Sequence, residues 1–334
     1  MTGPKIAMAA HSRTIDSSRP FSFRRFFLQW EWMLMIIFIL INVFNAVRSP
    51  NYLVFDNIMN NLQGLFDKAI LVFPMMMVIL LGQIDISIAS TMALSATVMG
   101  VAYESGMPMG MAMIVCLVAG AACGLFNGVI IAKFPELSSM IVTLSTMIIF
   151  RGIASIILED GAVTGFPRWF QFLAWGRVGN LSFIILFFFV LAAIFAYVIH
   201  FTRFGRNLYA MGNNETAAKY SGIQTARYKI IVFTIMGLFA GIAALFLASK
   251  MSSVRPNIAL GYELDVIAMV VLGGVINTGG KGRVIGVVIS AVMLSLLRFG
   301  LGITNVPAQI LLIIIGALLI IAVAIPNIKQ SFKR

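Results

Sequence analysis

The feature that most limits what this chain can become is a succession of long apolar runs, joined by short loops whose charges are mostly basic. A backbone crossing hydrocarbon must satisfy its polar groups internally. Each spanning run is therefore a helix of about 20 residues, shorter where other protein covers its ends. The runs near 27–47, 67–82, 87–103, 107–132, 138–158, 180–201, 229–249, 263–276, 284–305 and 307–326 meet that measure. The chain reads as an all-α integral membrane protein with about ten transmembrane helices. Composition closes off a water-soluble alternative: 60% of residues are hydrophobic and 11% charged, where soluble domains carry about a quarter charged residues.

Loop charges orient the bundle. Residues 1–26 are polar and carry Arg13, Arg19, Arg24 and Arg25. The apolar run that follows is long enough to span and has no small-residue cleavage site after it, so it reads as a first transmembrane helix rather than a signal peptide. With this tail in the cytoplasm, an even number of spans returns Lys329, Lys333 and Arg334 to the same side. The same count brings in Lys133, Lys281 and Arg283, and the loop bearing Arg203, Arg206, Lys219, Arg227 and Lys229. Asp56, Glu104, Glu159, Asp160, Glu263 and Asp265 then lie outside, as the positive-inside rule requires. The expected organisation is a cytoplasmic tail at 1–26, a transmembrane domain at 27–326 and a cytoplasmic tail at 327–334. The net charge of +12 sits at the ends of apolar runs, which excludes nucleic acid as a partner and leaves membrane lipid. The outer segments, 48–66, 159–179 and 250–262, are too short to be independent binding domains.

The longest cytoplasmic loop, 202–228, reads TRFGRNLYAMGNNETAAKYSGIQTARY. Asn213 or Asn214 can cap a short helix, Glu215 and Thr216 suit its first turn, Ala217, Ala218 and Lys219 propagate it, and Gly222 stops it. Such a helix is either a plain surface element or a docking element for a cytoplasmic partner. TRFGRNLYAMGNNETAAKYSGI resembles the TRxGRxxYAxGxNxxAAxxSGI segment of ribose-type ABC sugar permeases, a group shared with xylose, arabinose, galactose, rhamnose and autoinducer-2 importers. LLGQIDISIAS near 81–90 resembles that family's xxGGIDLSVGS, and PNYLVFDNIMNNL at 50–62 its PNFLTxxNLxNIL. GYELDVIAMVVLGGVINTGGKGRVIG at 261–286 resembles GYELDAIAAVVLGGxSxxGGKGxxxG. One departure is Gln83, which stands where the family usually has Gly.

The resemblance implies a permease for a monosaccharide (pentose, hexose or deoxyhexose), or alternatively for autoinducer-2 or a branched-chain amino acid, that pairs with a second permease chain, as homodimer or heterodimer. Two cytoplasmic ABC ATPase subunits, which bind ATP and Mg, and a periplasmic substrate-binding protein complete the importer. It also implies an ATPase-coupling role for Gly205, Arg206, Gly212, Asn213, Asn214, Glu215, Ala217, Ala218, Ser221 and Gly222. The chain itself lacks a GxxxxGK[ST] phosphate loop, since GGKGR at 279–283 has no Ser or Thr after its Lys. No cofactor is expected in this chain, and it is not expected to be an enzyme. Its place would be the inner membrane of a bacterium.

Charge inside a membrane is costly, so Asp85, with Gln83 and Ser87 beside it, is a candidate on the substrate path, as is Asn277 in the Gly-interrupted piece 273–282. Asp85 could equally cap a broken helix and pair with a basic loop group. Tyr262, Glu263 and Asp265 either dock the binding protein or end a helix. Cys116 and Cys123, seven residues apart, fit no metal or redox motif, and the Met clusters at 75–77 and 107–113 fit packing better than a metal route. An ion-coupled secondary transporter would need acid and base relays within the spans, for which Asp85, Arg151 and Arg298 are the material. A membrane transferase would need His and carboxylates clustered at one face, which two scattered His do not give.

Overall fold

The computed structural model describes residues 30–49, 52–159 and 161–303, with scattered positions between 306 and 320. The two terminal tails and most of the run 307–326 lie outside these residues.

The helices are α1 (Trp30–Arg48), α2 (Phe55–Ala69), α3 (Val72–Leu80), α4 (Ile88–Glu104), α5 (Met109–Lys133), α6 (Ser139–Leu158), α7 (Phe172–Trp175), α8 (Phe183–Phe201), α9 (Arg203–Asn213), α10 (Glu215–Tyr220), α11 (Thr225–Met251), α12 (Tyr262–Leu272) and α13 (Val284–Ile303). Four two-residue strands complete the elements: β1 (Val163–Thr164), β2 (Arg177–Val178), β3 (Leu181–Ser182) and β4 (Ser253–Val254). Six stretches among the described residues are long and apolar enough to cross a bilayer: Phe55–Leu80, α5, α6, α8, α11 and α13. The chain is a helical membrane protein.

One expectation changes. The run expected at 67–82 begins at Phe55, so most of the segment expected as an outer loop, 48–66, is helix. The sequence FDNIMNNLQGLFDKA is polar in sum but amphipathic at helical spacing, and its buried face holds Leu62, Gln63, Phe66, Asp67 and Lys68. Polar groups on an inward face lower the mean hydropathy without making a loop.

The core forms around α11, which packs against α5, α4, α3 and α7. The crossing with α5 is as close as backbones permit, because glycines face each other: Gly120 and Gly124 on α5 meet Gly237 and Gly241 on α11, and Gly128 lies against the backbone of Ile230. A Cβ at Gly124 would fall onto the Phe233 carbonyl oxygen and lie 2.9 Å from the Gly237 Cα. Between helices surrounded by lipid, where no hydrophobic force draws apolar faces together, such small-residue contact is a main source of association. Elsewhere α5, α6 and α8 turn large apolar side chains outward, among them Val118, Ile148, Ile156 and Phe201. At one end α6 and α11 both stop on a non-glycine residue at left-handed φ, Glu159 (47°) and Ser252 (50°). The chains leaving them pair antiparallel as β1 and β4, Val163 opposite Val254. We call this the far end, and the end bearing 202–228 the loop end.

Leucine at Gly124 or Gly237 should prevent the α5–α11 crossing, at a cost of at least ~1–3 kcal/mol. Alanine at Gly110, which is exposed with nothing near its would-be Cβ, should leave it intact. Thermal unfolding of the detergent-solubilised variants separates the two outcomes.

Candidate coupling site at the loop end

After Leu81 the chain is unwound as far as Ser87, turning at Gly82 with φ of 71°. Backbone groups released from a helix need other partners at this depth. The side chains of α6 supply them: Ile84 N donates to Ser139 Oγ at 3.2 Å and Ile86 N to Thr143 Oγ1 at 3.2 Å. Asp85, 2% exposed, accepts from both the backbone N (2.8 Å) and the Oγ (2.7 Å) of Ser87, and Asn127 Nδ2 donates to that Oγ at 2.8 Å. Asp85 therefore shapes the turn into α4. Its hydrogen bonds go to Ser87, the residue before α4, and not to a basic loop group.

A second unwound segment runs from Gly273 to Arg283, between α12 and α13. It doubles back through Gly274, Gly279 and Gly280, all at positive φ, and is closed by Ile276 N donating to Lys281 O at 3.0 Å. The two unwound segments meet. Gly280 N donates to Leu80 O at 2.9 Å, and a Cβ on Gly279 would lie 2.8 Å from Gly82 N. Asn277 is exposed in this turn, beside Thr278, whose carbonyl lies against Gly82.

Helix α9 presses onto the same point. A Cβ at Gly212 would fall onto Leu80 O and Gly280 N together. Asn213 Nδ2 donates to Tyr209 O at 2.7 Å and Gly280 O at 3.3 Å, and Tyr209 Oη donates to Gly282 O at 2.7 Å. Burial pushes the Tyr209 phenol above its ordinary value, which keeps it a donor. At the other end of α9, Thr202 caps the helix by accepting from Gly205 N, and a Cβ at Gly205 would strike Ile199 O. Three segments that are far apart in sequence, 80–82, 209–213 and 278–282, thus touch through main chain, and glycine is required wherever they do.

The rest of the loop is ordered around this junction. Of the two asparagines able to cap, Asn214 does so, accepting from Ala217 N at 2.9 Å. Ser221 Oγ bonds Ala217 O, Gly222 ends the turn at φ 88°, and Glu215 pairs with buried Lys229 at 2.6 Å. The helix expected at 213–222 is therefore the shorter α10, preceded by α9, which glycine at 205 and 212 hides from a propensity reading. Ala218 is buried beneath it, while Arg206, Thr216, Ala217, Lys219, Tyr220 and Ser221 are exposed. A cavity of about 800 Å³ opens between this hairpin and the first unwound segment, lined among others by Gln83, Ser138, Ser139, Glu215, Lys219 and Lys229.

The sequence reading missed a second assembly, at the far half of the same helices. Lys68 Nζ binds Asp265 Oδ2 at 2.6 Å and lies 4.9 Å over the Tyr262 ring. Arg298 binds the other Asp265 oxygen. Lys250 binds Asp67 at 2.8 Å, and Tyr262 Oη donates to the same carboxylate at 3.0 Å. Asp265 is thus buried in this network, and Tyr262 and Glu263 are half-buried beside it. The signal was present in the adjacent Asp67 and Lys68, charges of opposite sign inside a run that is otherwise a span.

The comparisons bear on this geometry. The family described as branched-chain amino acid transport system / permease component matches residues 58–323. The ribose import permease protein RbsC of Escherichia coli K12 is 34% identical over 323 residues, covering 96% of this chain and 99% of that protein. RbsC of Bacillus subtilis is 34% identical over 88% of this chain and 92% of its own length. The chain belongs to the ribose-type ABC permease family. The autoinducer 2 import system permease protein LsrD of Salmonella paratyphi A is 32% identical, over 88% of this permease and 90% of LsrD. No solved structure matches the permease. The junction collects three of the four segments that carried the resemblance, which gives their glycines a physical reason.

Removing one partner from a buried ion pair leaves the other uncompensated, at ~3–5 kcal/mol. Asp265→Ala should lower the permease's thermal stability by about that much in detergent. The double variant Asp265→Ala with Lys68→Met should recover part of the loss, a non-additivity that a mere packing defect would not give.

Proposed function

We propose that this chain is the transmembrane permease subunit of a binding-protein-dependent ABC importer. It carries a monosaccharide (pentose, hexose or deoxyhexose) across a bacterial inner membrane while a partner subunit binds ATP and Mg and hydrolyses the nucleotide. The observation that carries this reading is the junction itself. The exposed hairpin α9–α10 is held backbone to backbone against both unwound segments, so a push on the hairpin from an ATPase reaches the end of α3 and the segment leading into α13 without passing through any flexible side chain.

The organisation that goes with it is ten spans, with tails 1–26 and 327–334 and the loop 202–228 all cytoplasmic. A second permease chain and lipid cover the apolar faces of α5, α6 and α8. The coupling residues are Gly205, Arg206, Gly212, Asn213, Asn214, Glu215, Ala217, Ala218, Ser221 and Gly222. Gln83 and Asn277 meet the solute, while Asp85 and Ser87 hold the shape of the path. The binding protein meets the far-end loops beside Glu263, through exposed neighbours such as Arg255 and Leu264.

The ribose import relatives favour a sugar, and the autoinducer-2 relative keeps that solute as a second reading. A proton-coupled carrier gains no support: Arg298 is engaged with Asp265, and Arg151 donates to the carbonyls of Pro256 and Ile258 at 2.6 and 2.8 Å.

Ala218→Pro interrupts α10 at a buried position and costs ~3 kcal/mol locally. Ala218→Pro and Gly212→Leu should each insert normally yet lose uptake by more than about 100-fold, the factor that such an energy corresponds to. Uptake of a labelled sugar panel by vesicles holding the whole importer measures this. Normal uptake by both variants would remove the coupling assignment, and ATP-independent uptake would remove the importer.

A further inference from the structure

A second cavity beside the coupling hairpin joins a few polar groups to an apolar wall. It lies at the loop end, on the flank of the bundle, and measures about 480 Å³. Its walls are Ala196 and His200 from α8, Tyr209 from α9, and Arg283, Val284 and Ile285 at the start of α13.

Its depth follows from the elements that frame it. Helix α8 is apolar through Phe201, and Thr202 then turns the chain into amphipathic α9. The cavity therefore sits where hydrocarbon gives way to water. Its polar wall is prearranged: His200 Nε2 accepts from Val284 N at 3.3 Å, Tyr209 Oη donates to Gly282 O at 2.7 Å, and the two rings stack at 6.3 Å. Arg283 adds the charge, and no carboxylate lines the cavity. The other wall is apolar and continues onto surface that water would not wet: Tyr197 (65% exposed), Phe201 (72%) and Ile285 (57%).

A basic, hydrogen-bonding floor joined to an exposed apolar wall at the membrane boundary matches one kind of molecule. We propose that this cavity holds an anionic phospholipid of the cytoplasmic leaflet. Its phosphate lies against Arg283, and an acyl chain runs along Ala196 and Ile285. Basic pockets between transmembrane helices on this side bind such headgroups. A soluble anion would satisfy the charged wall but leave the apolar one bare. The lipid would bridge α8, α9 and the segment after Gly282, so it would brace the hairpin from the side opposite the 800 Å³ cavity. The proposal rests on the cytoplasmic placement of 202–228. Labelling of a cysteine introduced at Arg203 tests that placement independently.

The test uses the full-length permease in nanodiscs of phosphatidylcholine, alone or mixed with phosphatidylglycerol, followed by native mass spectrometry of the released chain. The expected result is a retained phosphatidylglycerol adduct, reduced roughly fivefold by Arg283→Gln, in line with about 1 kcal/mol per basic residue at the surface. Arg203→Gln, outside the cavity, should leave it unchanged. Equal retention of both lipids would overturn the proposal. So would equal loss in both variants, displacement by free glycerol phosphate at comparable concentration, or a crosslink from Phe201 to a second permease copy in place of lipid. Should Arg283→Gln fail to insert, the preference of the unaltered permease between the two lipids still decides.

Discussion

Much of this bundle follows from how it satisfies backbone it has unwound between helices. Two segments leave helical geometry, 81–87 and 273–283, and the buried N–H and C=O groups of each need partners other than a helix's own. The chain solves this in two ways. Side chains of α6 and Asp85 serve the first segment, and the second folds on itself and bonds to Leu80 O. Both solutions demand close backbone approach, and that demand explains the glycines at 82, 212, 279 and 280 better than flexibility does.

The two unwound segments belong to elements that are also tied at their other ends. Helix α2 carries Asp67 and Lys68, about 18 Å before Leu80 at 1.5 Å per residue. Helix α12 carries Asp265 shortly before Gly273. Salt bridges at the far half and main-chain bonds at the loop half clamp the same pair, α2–α3 and α12, from both sides of the core. A pair held so cannot slide at one end alone. Displacing the hairpin at Gly212 must rotate or shift both elements together, with the α2–α3 break at Ile70 and Leu71 as the place where the first can bend. The buried charges add little net stability over an apolar core, but their directional pairing fixes register between α2, α11, α12 and α13, which a greasy interface in lipid would leave loose.

The parts of this plan that were legible in the sequence were those carried by long apolar runs. Helices α5, α6, α8 and α13 lie within a few residues of the expected runs, because their lipid-facing sides are uniformly apolar. Helix α2 escaped because its inward face is polar, inverting the soluble rule on which hydropathy reading leans. Helix α9 escaped because the glycines that mark it as a poor helix are there for contact, not for conformation. Asp85 was visible as an anomaly, yet sequence alone could not say that its partner was two residues away. Tyr262 and Asp265 read as outward charges since nothing in a linear string brings them to Lys68, 194 and 197 positions earlier.

These misreadings share one cause, and it sharpens what such a chain needs from its surroundings. A membrane bundle keeps its polar groups inside, so its surface is informative chiefly where it is not apolar. Among the described residues that is the far-end platform built on β1 and β4, and the hairpin with the basic flank of α9. The first is rigid because two non-glycine residues at left-handed φ and a paired strand fix the ends of α6 and α11. The second is rigid because Gly212 leaves no space between it and Leu80. A chain stiff at both exposed polar regions, and joined between them by clamped helices, is built to pass displacement from one to the other rather than to absorb it.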